Sequence, residues 1–134
     1  MTAESVTGMG RRQAEALMTA SGTIKRATGT TTDPETLEEV PTYSTIYTGK
    51  CRLRIVKSVQ GGEGSIPGAV AVKDELVLSI PVEATGSGDV LPNDVWTCTA
   101  NPLDTSVVGL TLRITGVHYG TYMTARRFPV EAVN

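Results

Sequence analysis

Residues 58–75 read "SVQGGEGSIPGAVAVKDE", with glycines at 61, 62, 64 and 68 and no Lys or Arg between Lys57 and Lys73. Glycine at this density is the first requirement of a loop that cradles phosphate. A phosphate-binding loop also needs GxxxxGK[ST], because its lysine meets the outer phosphates and its hydroxyl meets the metal, and neither follows here. A dinucleotide fingerprint must open a helix, whereas Gly64 runs through Ser65 and Ile66 into Pro67 and then into a β-rich segment. Nucleotide chemistry is therefore not assigned to this stretch.

The remaining candidates for chemistry are sparse. His118 is the only histidine, so one chain cannot build a site with two histidine ligands. Asp33, Asp74, Asp89, Asp94 and Asp104 fall in turns, and no spacing sets two carboxylates on one rigid face for acid–base work. Cys51 and Cys98 form neither CxxC nor a disulfide framework and read as buried thiols. No catalytic residue, metal ligand or cofactor site is assigned, and an enzyme is not expected. Two arginine doublets remain, Arg11-Arg12 and Arg126-Arg127. Their plain use is solvation and ion pairing with Glu15 or Glu131. Their functional use is contact with an acidic partner or subunit boundary, where planar bidentate pairing favours arginine.

These residues must be positioned by a mainly β chain. A short helix is expected over 8–20, with Ala14, Leu17, Met18 and Ser21 on one face and Gly22 as its stop. Strands are expected over 22–28, 40–48, 50–57, 75–83, 94–100, 109–117 and 121–130, the signature of a small antiparallel β-barrel or sandwich. In "KCRLRIVK" Cys51, Leu53 and Ile55 face one way and Arg52 and Arg54 the other. "ELVLSIPV" turns Leu76, Leu78, Ile80 and Val82 inward, and "GLTLRITGV" turns Leu110, Leu112 and Ile114 inward before "HYG" closes a hairpin onto "TYMTARRFPV". Trp96 alternates with Cys98 and reads as the main core aromatic. Asp33-Pro34 opens a solvated hairpin tip, "TGSGD" over 85–89 reads as a flexible turn, and Pro81 marks an edge or bulge.

The chain of 134 residues suits a single domain, 1–134, with an N-terminal helical segment over 1–21 and a β-barrel over 22–134 that carries a long loop at 58–74. Hydrophobic content of 40% against 19% charged residues is enough for a packed core. A net charge of -2 excludes a protein that neutralises many phosphates. Aromatics at 4% are too few to stack single strands, so an oligonucleotide-binding barrel is only an alternative. No apolar run has the length of a membrane span or the form of a signal peptide, and assembly in a cytoplasm is expected.

The chain resembles the head-to-tail stopper, or head-completion, proteins of long-tailed phages. The resemblance is carried by "RRQAEALMT", "GTIKRATG", "TTDPETLEEVPTYSTIYTGKCRLRI" and "LRITGVHYGTYMTARRFPVEAV", which together span most of the chain. At "TLEEV" the pattern would lead one to expect a glycine-containing turn. The resemblance implies a virion protein at the head–tail interface. Its barrels would form a ring of six copies, twelve being the alternative, beneath the portal and adaptor. The ring would retain packaged double-stranded DNA without sequence-specific binding and dock the tail terminator or tail tube; a tail terminator ring is the nearest rival. The inter-strand loop would project into the channel, with Gly61, Gly62, Glu63, Gly64, Ser65, Ile66, Pro67 and Gly68 as its gating element. A nearly uncharged, glycine-rich loop would obstruct DNA without gripping it. Arg11, Arg12, Arg126 and Arg127 would serve subunit or partner contacts.

Overall fold

The computed structural model describes residues 2–60 and 71–133; side chains at 57–60 and 71–73 are not described. An N-terminal helix α1 (Ala3–Ala16) is followed by six strands, β1 (Ala20–Thr32), β2 (Glu39–Gln60), β3 (Ala71–Ile80), β4 (Val95–Ala100), β5 (Thr111–Ile114) and β6 (Arg126–Ala132). All neighbours are antiparallel, in the order β1-β2-β3-β6-β5-β4, and β4 returns to β1, so the sheet closes on itself. The expected mainly β architecture with one N-terminal helix is present.

Alternation builds the core. Ile24, Leu78, Ile80, Leu112, Ile114 and Phe128 are buried on the inner face around Trp96, which has no exposed surface. Each such side chain stabilises the fold by roughly 2 kcal/mol through the apolar surface it removes from water. Ile55 has the inward parity of Cys51 and Leu53 but is 63% exposed. It stands where β2 leaves the closed part of the sheet, and there the inner face opens to solvent. Leu110 precedes β5 and is likewise exposed.

Several boundaries differ from those expected. The helix begins at Ala3 because Thr2 caps it: its Oγ1 accepts the Ser5 N–H at 3.1 Å while Ser5 Oγ accepts the Thr2 N–H at 3.2 Å, a reciprocal capping box. Gly22 does not stop the helix but lies within β1, opposite Gly49. The break expected at Gly49 does not exist, and β2 runs unbroken through it. That glycine answers a packing demand instead: a β-carbon there would stand 2.9 Å from the Tyr47 hydroxyl, which reaches past Gly49 to donate to Lys50 O at 2.6 Å.

The segment 85–89 is not a loose turn. It forms a 3-10 turn, Ser87–Asp89, whose Ser87 is buried and donates through Oγ to Val82 O at 2.7 Å. Gly86 enters it at φ 82, and a β-carbon there would collide with Ile46 O, so backbone geometry and space both demand glycine. Pro81 follows the last residue of β3 and ends that strand. β5 and β6 pair as expected, but residues 115–125 connect them in place of a tight "HYG" turn.

Candidate functional site

β2 extends past the closed sheet at both ends. β4 covers β1 only from Ser21 to Lys25, so beyond Lys25 the β1–β2 pair continues as a two-stranded arm to the Thr32↔Glu39 pair. β6 covers β3 only from Leu76 to Ile80, and beyond Leu76 a second arm continues to the Gln60↔Ala71 pair. The loop expected over 58–74 is thus shortened, because 57–60 and 71–74 are paired strand. The residues expected to gate a channel, Gly61, Gly62, Glu63, Gly64, Ser65, Ile66, Pro67 and Gly68, lie outside the described residues.

The β1–β2 arm is wet on both faces. Residues 27–32 and 34–41 are exposed, among them Leu37 (77%), with Tyr43 (56%) nearer the sheet. Its tip is closed by Asp33 N–H to Glu38 O at 2.9 Å, Leu37 N–H to Asp33 O at 2.8 Å and Glu35 N–H to Asp33 Oδ1 at 2.9 Å. Leu37 takes the left-handed conformation, φ 59, that a glycine would otherwise occupy. Asp33, Glu35, Glu38 and Glu39 crowd this tip, and no Lys or Arg occurs between Arg26 and Lys50.

The four expected arginines divide. Arg11 fastens α1 to the body through Glu83 (2.7 Å) and Met123 O (3.0 Å). Arg126 reaches Ser87 Oγ at 3.3 Å, and Arg127 reaches Thr124 Oγ1 at 3.3 Å. Arg12 is exposed. The expected carboxylate partners are engaged otherwise: Glu15 pairs with Lys50 at 3.5 Å, and Glu131 pairs with Arg113 across β5 and β6.

The register adds two arginines that sequence reasoning had placed only on a wet face. Arg52, Ser79 and Arg127 lie in one cross-strand row over β2, β3 and β6, and Arg54, Val77 and Pro129 lie in the next. Arg54 and Arg127 border a groove of about 250 Å³ with Val56, Val77, Pro129 and His118; Glu75, itself engaged, stands at its edge. Arg54 Nε is shielded from solvent and has no hydrogen-bond partner among the described residues. The signal was the run of Lys50, Arg52, Arg54 and Lys57, all basic, in the second half of a strand whose first half is acidic or neutral.

Asp94 closes a turn, as expected, its N–H donating to Leu91 O at 3.2 Å, but it is not solvated there. It is 1% exposed and receives a two-point bond from Arg26, Nε to Oδ1 at 2.9 Å and the terminal nitrogen to Oδ2 at 3.0 Å. Arg26 further donates to Asp89 O at 2.8 Å, and Leu91 N–H donates to Asp94 Oδ2 at 2.9 Å. The Asp94 bond, opposed by some burial, raises the Arg26 pKa above its ordinary value. This pair anchors the root of the β1–β2 arm.

The thiols offer little nucleophilic chemistry at neutral pH. Cys51 and Cys98 are unpaired and buried, and burial raises both thiols, Cys51 to about 11. Among the described residues no three His, Cys, Asp or Glu side chains converge to hold a metal, and no helix is long and apolar enough to cross a membrane.

Residues 10–131 match the family described as a family of unknown function, DUF6093. No curated protein and no solved structure matches the chain.

Proposed function

We propose that this chain, which belongs to the DUF6093 family, is a small β-barrel acting as a structural ring subunit at a phage head–tail junction. There it retains packaged DNA and presents a face to the tail. The observation that carries this reading is the pair of two-stranded arms leaving the closed sheet at opposite ends of β2. A hairpin with no core against either face is marginal in water, and long open edges invite association. A chain that keeps such arms gains from them when neighbours cover them, as identical subunits do in a closed ring.

The resemblance to stopper proteins supplies the place of that ring, and the sequence at 61–68, whose one charge is the carboxylate of Glu63, supplies the reason DNA would pass without being held. The test uses filled heads lacking this chain. Adding the purified protein should protect their DNA from release and allow tails to join. Heads that bind the protein yet still lose DNA and take no tails, or that ignore it, would overturn the reading.

A further inference from the structure

We infer that the acidic tip of the β1–β2 arm of one copy docks on the arginine face of β2, β3 and β6 of a second copy; this rests on the assembly reading above. The tip presents Asp33, Glu35, Glu38 and Glu39, none with an ion-pair partner among the described residues. The face presents Arg52, Arg54 and Arg127, none with an ion-pair partner among the described residues, Arg127 donating only to the Thr124 hydroxyl. Arg52 and Arg127 flank β3, so their backbones stand about 10 Å apart, and Arg54 follows Arg52 by about 7 Å along the strand.

The apolar parts match as well. Leu37 projects from the tip at 77% exposure, and Val77 and Pro129 lie between the arginines with Val56 beside them. The other charged or titratable groups bordering the groove are Glu75, already engaged, and His118; Glu131, paired with Arg113, follows Pro129 on the same face of β6. Turning outward to a partner's carboxylate would give Arg54 Nε the acceptor it lacks, and an unpaired buried donor is costly to leave.

The contact must be between copies. Glu39 and Arg52 lie on one continuous paired strand, on the order of 40 Å apart along it, so the tip cannot fold back onto its own face. Tip and face are unlike surfaces, so their contact is head to tail and closes into a ring or runs on as a filament.

The full chain is tested by sedimentation velocity over a concentration series at low and high salt. The wild type should self-associate, less at high salt. Glu35→Lys/Glu38→Lys/Glu39→Lys and, separately, Arg52→Glu/Arg54→Glu/Arg127→Glu should each weaken association by about tenfold or more. An equal mixture of the two variants should associate again, because each reversed surface then meets its complement. Association that neither reversal disturbs overturns the docking while leaving a ring through another surface intact. A wild type monomeric at low salt overturns the docking and, if filled heads also ignore it, the assembly reading with it. Salt-sensitive binding of duplex DNA, lost on reversing the arginines and without self-association, assigns the face to nucleic acid and overturns the docking.

Discussion

Gly22 of β1 lies directly against the indole of Trp96 on β4. A β-carbon at Gly22 would overlap Nε1 and Cε2 of that ring and stand 2.8 Å from Thr97 O. The obstruction is a fully buried ring and a backbone carbonyl, neither of which can swing away. Close approach of β1 to β4 at this point is what lets the ring of strands close around the indole.

Gly22→Ala should therefore destabilise the protein by about 3 kcal/mol, the upper part of the range for overpacked cores. Urea unfolding followed by Trp96 emission measures it, since the chain has one tryptophan. An unchanged midpoint would show that β1 and β4 do not meet in this way.

Asp94→Ala removes two acceptors at once, that of Arg26 and that of the Leu91 N–H. The expected loss is about 2–3 kcal/mol, for bonds made to a charged group inside the fold. Asp94→Asn should lose less, because its amide oxygen can keep one of those donors. Thermal unfolding of the two variants beside the wild type gives the order; equal losses would mean that the charge alone matters.

The alternating strands were legible because parity is local. Leu112 and Ile114 alternate with Thr111, Arg113 and Thr115, and Leu78 and Ile80 flank Ser79, and the sheet buries all four as their spacing implies. Gly22 and Gly49 were misread because glycine marks either a turn or a close approach, and only the partner decides. For Gly49 that partner is Tyr47; for Gly22 it is Trp96 on a distant strand. The Arg26–Asp94 pair joins residues far apart in sequence, and the row of Arg52 and Arg127 depends on the register of β2, β3 and β6. Neither has a local signature. The helix start was open to reading at Thr2 and Ser5, whose spacing is that of a capping box.

Stability should fall on the alkaline side. Burial is the main cause that pushes the Cys51 thiol up to about 11 from an ordinary 9.0, and the nearby Cys98 raises it further. Tyr47 rises from 10.0 to about 12, first through burial, then through Cys51 and Glu15. Both folded values lie above the unfolded ones, so the folded chain keeps protons that the unfolded chain has released. The contribution is complete below pH 9 and is lost as pH rises through 11 for the thiol and 12 for the phenol. Urea midpoints should stay level to pH 9 and then decline, and in Cys51→Ala/Cys98→Ala, which removes both raised thiols, the decline should begin nearer pH 10. A decline in the variant that still begins at pH 9 would assign it to another group.

Leu37 holds φ 59 at the arm tip without the freedom of glycine, while its side chain stands 77% exposed and contributes little burial. The left-handed conformation costs an L-residue roughly 1 kcal/mol or more, partly offset by the greater unfolded freedom of a glycine replacing it. Leu37→Gly should thus make the free arm slightly more stable, by less than about 1 kcal/mol. Slower amide exchange at Asp33 and Leu37, whose N–H groups close the tip, would register the gain. If the leucine is kept because it seats against a neighbouring copy, the same substitution should weaken self-association while tightening the isolated tip. A single change would then move two measurements in opposite directions, which a purely local role for Leu37 could not produce.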